Sequence, residues 1–425
     1  MKSFPTNHII RIGIIGIGSM GKGLVYQSHI TPGLACVAVC DTNIQRCIDV
    51  LNWLQLPYQM ASTVDAMNEA ISRGLVAVCR TGELVSHCEL IDAVVEASNS
   101  IGSAVPHALE ALERRKHLIL MNAEIDLTFG PLFAQTARER GVIYTSCDGD
   151  QYGGMKHLID DLGLWGFDLV MAGNIKGFLD RYANPTTIVP EADKRNLEYR
   201  MCTAYTDGTK LNIEMAIIAN ACGLTAKVPG MYGPKAVHVR EVFQRFDLDT
   251  LWENRMPFVD YIIGADPAGG VFAIGHCENP YQRQMLSYYK MGDGPYYLFY
   301  RPYHLCHIEA MKTIIKAVSL GRCFLSPDHG LRTNVYAYAK TDLHAEQTLD
   351  GVGGYTCYGK IENLNDNQVD PGVPICLADK VVLNRAVARD ERIAMTDISY
   401  DPQRIDFLLY HRALERTEKI ERDQP

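Results

Sequence analysis

The chain has 425 residues, 47% of them hydrophobic and 21% charged, which excludes an extended disordered protein and is too long for one ordinary core, so two or three domains are expected. A formal net charge of -9 excludes a general nucleic-acid binder, which needs a basic surface to neutralise phosphates. No apolar run approaches a membrane span and the first ten residues do not read as a signal peptide, so a cytoplasmic protein with no membrane or nucleic-acid partner is expected.

The first predicted strand, Ile12 to Ile15, runs directly into Gly16-x-Gly18-x-x-Gly21 and a helix from about Met20. In such a turn the first glycine permits the bend, the second lets backbone approach a pyrophosphate, and the third packs helix on strand. The helix start, with Ser19 and Met20, offers unpaired N–H groups to the anion. A second apolar run, Leu34 to Cys40, ends in Asp41, placed to hold the adenosine ribose hydroxyls, and Arg46 follows where it would meet a 2'-phosphate.

A long helical insertion over Asp49 to Leu56 and Val64 to Arg73 comes next. The sheet is expected to resume with Ile91 to Ala97, His117 to Met121 and Val142 to Thr145, separated by helices over Ala104 to Arg115 and Gly130 to Arg140. This is the pattern of a doubly wound, Rossmann-type parallel sheet over residues 1–150. Its carboxyl rim would carry Glu96, Ala97, Ser98, Asn122 and Glu124 towards a nicotinamide, together with Asp148 and Asp150. Asp148 and Asp150 suit a divalent cation such as Mg²⁺ or Mn²⁺, or a sugar's hydroxyls; a turn bonded to its own backbone explains them equally.

From residue 151 to 326 the pattern is α+β. Asn174, Lys176 and Arg181 are donors for a phosphate or carboxylate, unless they form a solvated basic loop. A helix over Thr209 to Cys222, capped by Asp207, puts Lys210 and Glu214 one turn apart, either as a proton-moving pair or as an exposed ion pair. The β-rich arms around Gly292-Asp-Gly294, within Ser287 to Tyr300, predict a hairpin. Arg301, His304 and His307 would line an anion or substrate pocket, the histidines sharing a face if they lie on a helix, unless the histidines are core or capping residues. A helix over about Ile308 to Ser319 would pack back on the first domain.

After Ser326-Pro-Asp-His-Gly330 the chain reads as a separate small β module over 327–425, with strands or turns at Asn334 to Lys340, Asp342 to Leu349 and Gly351 to Tyr355, and a frayed charged tail from Leu414. The thirteen cysteines are scattered without a Cys-x-x-Cys pair, the pattern of buried reduced thiols, Cys147 and Cys306 included.

Taken with Gly173-Asn-Ile-Lys-Gly177, Asp207-Gly-Thr-Lys210, Tyr289-Lys-Met-Gly-Asp-Gly-Pro295, Arg301-Pro-Tyr-His-Leu-Cys-His307 and Gly353-Gly-Tyr355, the glycine turn resembles the homoserine-dehydrogenase-like oxidoreductases with a C-terminal SAF domain. One branch is similar to 1-deoxy-D-xylulose 5-phosphate reductoisomerase, which forms 2-C-methyl-D-erythritol 4-phosphate with NADPH and a divalent metal. The resemblance implies a central catalytic and dimerisation domain, a C-terminal SAF-type β-clip and a homodimer. It implies catalytic Lys210, Asp207 and Glu214, and NADP(H) rather than NAD(H). On this reading Asp148 and Asp150 hold the metal, while Lys176, Arg181 and Arg301 grip a phosphorylated or acidic small molecule. Two other readings stay open: a dehydrogenase of another hydroxy acid, polyol or sugar phosphate acting without rearrangement, and a non-catalytic dinucleotide-binding sensor.

Overall fold

In the computed structural model, residues 9–195, 197–367 and 370–423 are described. Their contacts divide the chain into two units, residues 1–150 with 305–326, and residues 151–304 with 327–425.

The first unit is a doubly wound α/β layer. Strands β1 (Ile10–Ile15), β2 (Leu34–Cys40), β3 (Tyr58–Met60), β4 (Val76–Cys79), β5 (Ala93–Glu96), β6 (His117–Leu120) and β7 (Tyr144–Ser146) form one parallel sheet in the order β3-β4-β2-β1-β5-β6-β7. Between them run α1 (Ser19–Ile30), α2 (Ile44–Trp53), α3 (Val64–Ser72), α4 (Gly82–His87), α5 (Ile101–Glu113) and α6 (Ala123–Arg140). The central strands are nearly unbroken Val/Ile runs because both faces are covered, as parallel sheets require. The sequence suggests a long helical insertion that takes in Asp49 to Leu56 and Val64 to Arg73; the structure adds two parallel strands at this edge, β3 between those helices and β4 after them. Val76-Ala-Val-Cys79 is fully buried, but four residues are too few to set a period.

The second unit begins with α7 (Gln151–Leu164), β8 (Asp168–Lys176), α8 (Val189–Arg195), α9 (Tyr199–Thr206), α10 (Thr209–Cys222) and β9 (Thr225–Ala226). It continues through α11 (Val242–Arg245), α12 (Leu248–Leu251), β10 (Phe258–Ile263), β11 (Val271–His276), α13 (Pro280–Tyr288) and β12 (Tyr296–Arg301). Its five strands make a mixed sheet in the order β12-β11-β8-β10-β9, with β11 antiparallel to both neighbours. The hairpin expected around Gly292-Asp-Gly294 is corrected: Asn279 caps a helix with Pro280 at its first position, so the first arm is α13. Only the second arm is a strand, and it pairs with β11.

Next, α14 (Cys306–Leu320) returns to the first unit as the sequence suggests. Ala310, Met311, Ile314 and Ile315 enter the core that holds Ile12, Ile14, Leu24 and Val25, each fully buried aliphatic chain contributing about 1.5–3 kcal/mol relative to exposure.

The chain then completes the second unit with β13 (Thr333–Ala339), β14 (Cys357–Asn363), β15 (Val382–Leu383), β16 (Ile398–Ser399) and α15 (Ile405–Asp423). Residues 327–425 are thus not the separate module expected from sequence. Asn220 on α10 donates to the Thr333 carbonyl and accepts its N–H (3.0 and 2.7 Å), while Thr209 and Asn212 accept the N–H groups of Gly359 and Ile361, both at 2.9 Å. These are buried bonds between segments over a hundred residues apart, so β13 and β14 fold as part of the α10 core. The tail is helical as far as Asp423, anchored where Thr417 accepts the Leu331 N–H.

Candidate functional site

Within the first unit, the turn after β1 has the shape a dinucleotide needs. Gly16 sits at φ +91°, and a Cβ there would lie 2.5 Å from the Ser98 nitrogen. A Cβ on Gly21 would lie 1.9 Å from the Gly16 carbonyl oxygen. Gly18 differs: a Cβ there would meet nothing within 4 Å. It is the N-cap of α1, and no side chain bonds the helix N–H groups beyond it, so Ser19, Met20 and Gly21 open a helix whose start is available to an anion.

Asp41 is only 7% exposed, and its carboxylate accepts the N–H of Ile17 (2.7 Å) and of Asn43 (2.8 Å). It therefore fixes the glycine turn. Arg46 lies 3.9 Å from it. Sequence reading missed Arg80, at the end of β4, which donates to the Thr42 carbonyl at 3.3 Å and brings a second guanidinium to this turn. The signal was hidden because β4 itself was not recognised.

Several expected rim contacts are structural. Asn122 caps α6 by accepting the Ile125 N–H (3.3 Å) and donates to the Ser100 carbonyl (3.2 Å), while the Ala97 N–H belongs to the β1 ladder. Glu124 is buried in the first turn of α6. Ser98 backs the glycine turn and donates its N–H to Glu96 at 3.2 Å. Nearby Asp126, which sequence reading passed over, is held by the hydroxyls of Tyr144 and Ser146.

Glu96 is fully buried at the carboxyl end of β5, and burial pushes its carboxyl up to about 8, against hydrogen bonds from Ser98 and Asn122. A carboxyl raised in the fold binds its proton more tightly there than in the unfolded chain. Its contribution to stability is therefore full below the ordinary value of 4.5 and is lost as pH climbs through about 8. Glu96→Gln, which mimics the neutral form, is expected to match the parent at low pH and to exceed it by about 1–3 kcal/mol in alkaline buffer. Thermal midpoints across a pH series read this directly; a pH-independent difference would contradict it.

Asp148 donates its own N–H to Thr313 on α14 (2.9 Å) and accepts the Gly149 N–H (2.7 Å). Gly149, at φ +96°, is pressed against the Cys306 and Leu305 carbonyls, so this turn is clamped by the start of α14. Asp148 belongs to no group of three potential metal ligands among the described residues. One of the Asp148 carboxylate oxygens thus serves its own turn. Cys147 is an inert thiol, its pKa raised far above the ordinary range by burial and then by Asp148 and Asp150, and none of the thirteen cysteines is in a disulfide.

Within the second unit, α10 is buried along Thr209–Ala221, which overturns the exposed ion pair as an account of Lys210 and Glu214. They are 4% and 3% exposed, one turn apart, on a helix whose other polar side chains Thr209, Asn212 and Asn220 are taken up by β13 and β14. Asp207 serves the start of α10 as expected and is held by a second partner as well. Its side chain is wholly buried, accepts the Thr209 N–H (2.8 Å) and pairs with Lys340 Nζ at 2.8 Å, and Lys340 also donates to the Gly354 carbonyl at 2.8 Å. Asp207 anchors the start of α10, and sequence reading had no means of finding Lys340.

Within the second unit, Asn174 and Arg301 lie in one register row of the mixed sheet, both paired with Val271 of β11. Asn174 is buried in the mixed sheet and donates to Gln151, while Lys176 ends β8. Arg301 stacks over Tyr303 at 4.7 Å and Arg181 over Tyr358 at 5.3 Å. His304 and His307 do not share a helix face, since α14 starts at Cys306. His304 bonds the Gly269 carbonyl in the second unit (2.7 Å), and His307 packs on Gly23 of α1 in the first.

Fold and site together define an α/β protein with a dinucleotide-type glycine turn and a second, mixed-sheet unit with a buried lysine. Residues 149–310, the segment that carries Lys210, match the family model described as oxidoreductase DRL, catalytic domain. No curated protein matches the chain in sequence.

Among solved structures, the chain is similar to a protein described as a probable dehydrogenase from Thermotoga maritima, with 11% identity over 74% of this chain and 90% of that one and a TM-score of 0.45. It is also similar to an oxidoreductase from Agrobacterium radiobacter in complex with NAD+, L-tartaric acid and magnesium (12% identity, 40% and 45% coverage, TM-score 0.30). A third is a DOX-P reductoisomerase in complex with NADPH, fosmidomycin and magnesium (16% identity, 48% and 57% coverage, TM-score 0.35). The chain thus spans about half the length of the last two, and likeness at this level carries no argument about substrate. Among the described residues, no helix is long and apolar enough to cross a membrane.

Proposed function

We propose that the protein is an NAD(P)-dependent oxidoreductase that moves a hydride between the nicotinamide and a small phosphorylated or acidic substrate without rearranging its carbon skeleton. The observation that carries this reading is the open Gly18 position at the uncapped start of α1. When bound, the dinucleotide supplies or accepts the hydride. The N–H groups at the start of α1 take the pyrophosphate, and Asp41 holds Ile17 so that the turn keeps its shape. NADP(H) is favoured over NAD(H), because Arg46 and Arg80 flank the turn after β2, where guanidinium groups suit a 2'-phosphate. Lys210 moves the proton at the reacting oxygen of the substrate, with Glu214 one turn away as its charge partner.

The non-rearranging reaction is preferred to the reductoisomerase one because a proton moved by Lys210 requires no metal, whereas the rearrangement needs one to hold its substrate. Turnover that survives chelation supports this; loss on chelation with recovery on adding Mn²⁺ would favour the rearrangement. The protein is expected to oxidise NADPH in preference to NADH with one member of a panel of hydroxy-acid, polyol or sugar-phosphate carbonyl partners. Lys210→Met is expected to lower kcat about 100-fold or more with dinucleotide affinity unchanged. Dinucleotide binding without turnover across the whole panel would instead support the sensor reading.

A further inference from the structure

The antiparallel pair β13/β14 has two unlike faces because its sequence alternates. Gly359 faces Val335 and Thr209, which puts one side against α10. The opposite side carries Tyr338 directly across from Tyr358, with Lys360 two residues along. Lys360 Nζ lies 4.2 Å from the centre of the Tyr338 ring and 5.7 Å from that of Tyr358, and the Arg181 guanidinium lies 5.3 Å from the Tyr358 ring. Two cations therefore share one aromatic surface. The turn at Gly230 packs on the Lys360 stem, so its ammonium is held in place rather than swinging in water.

The nearby carboxylates are already occupied. Asp390 accepts the hydroxyls of Tyr182 and Tyr358, both at 2.8 Å, and Glu362 accepts that of Tyr338 at 2.8 Å and lies 3.5 Å from Arg392. Among the described residues, neither the Arg181 side chain nor the Lys360 side chain makes a hydrogen bond or an ion pair within 4 Å. Their only close partners are ring faces, whose attraction for a cation is about 0.5–2 kcal/mol. Burial first, and then the charge of Arg181, hold the Lys360 ammonium below its ordinary pKa. Asp390 and Glu362 partly compensate the Lys360 charge, and Asp390 also faces Arg181, so an arriving anion adds to a compensation that is only partial.

We propose that Arg181 and Lys360, on the tyrosine face of β13/β14, form a binding site for a phosphoryl group. Arg181 offers a planar fork for two phosphate oxygens and Lys360 a point charge for a third, while the buried rings beneath hold both cations in place. The site lies wholly within the second unit and does not depend on the redox reading, since a phosphorylated substrate and a free phosphate effector present the same group.

The test is competitive acetylation of the full chain, read by mass spectrometry, with exposed Lys380 as internal reference. Lys360 is expected to react faster than Lys380 near neutral pH, because more of it is unprotonated. Millimolar inorganic phosphate or D-ribose 5-phosphate is expected to slow Lys360 about tenfold, whereas chloride at matched ionic strength does not. Arg181→Ala, an exposed position, is expected to keep its thermal midpoint and lose most of this protection. Equal protection by the two ligands assigns the site to the phosphoryl group alone; protection by the sugar phosphate only assigns it to a phosphorylated metabolite. Protection by neither, or protection undiminished in Arg181→Ala, overturns the proposal.

Discussion

Gly18→Val is expected to abolish dinucleotide binding while leaving the thermal midpoint of the protein where it is. The two effects separate because a side chain at this position meets no protein atom within 4 Å and its backbone, at φ -75°, is ordinary for any residue. The valine methyls would instead occupy the space through which a pyrophosphate approaches the start of α1, and a loss of about 100-fold or more in affinity is expected. Gly16→Ala and Gly21→Ala are the contrasting controls. Their added carbons collide with Ser98 and with the Gly16 carbonyl, so both should destabilise the first unit itself. Fluorescence titration with NADPH and NADH, alongside calorimetry, distinguishes the two patterns. A Gly18→Val protein that binds either nicotinamide like the parent would falsify the cofactor assignment at this turn.

Lys340→Met should be the most destabilising of the side-chain changes considered. Lys340 and Asp207 are 2% and 0% exposed, so removing the ammonium leaves a carboxylate buried without its counter-charge and the Gly354 carbonyl without its donor, a loss of about 3–5 kcal/mol. The double change Lys340→Met with Asp207→Asn is expected to recover a substantial part, because no charge is then stranded. Urea unfolding followed by far-UV circular dichroism provides the measurement. A single variant within about 0.5 kcal/mol of the parent would mean that the pair does not hold the start of α10. The coupling also bears on function. The anchor sets where Lys210 begins its helix, so a kcat loss in Lys340→Met would reach the proposed proton carrier through its backbone.

The legible parts of the molecule are those governed by short-range rules. The glycine turn, α10 from Thr209 to Cys222 and the apolar stripe of α14 are encoded within a few turns of chain, by backbone sterics at Gly16 and Gly21 and by helical spacing at Ala310, Met311, Ile314 and Ile315. The errors lie where local signals compete or are too short. Tyr288 and Tyr289 look like strand residues, but the Asn279-Pro280 helix start precedes them and wins. Strands β3 and β4 have three and four residues and leave no periodic trace.

Sequence alone determined that an anion-receptive helix start follows a buried strand, and that a lysine and a glutamate stand one turn apart on a central helix. Tertiary structure alone decided which polar groups those elements consume. It buried Lys210 and Glu214 rather than exposing them, gave Asp207 to Lys340, committed one Asp148 carboxylate oxygen to its turn, and brought Lys360 beside Arg181. The reason is one of range. Backbone preference acts over a handful of residues, whereas the desolvation of a charge is set by whatever surface the fold lays over it, and in this chain that surface comes from residues more than a hundred positions away.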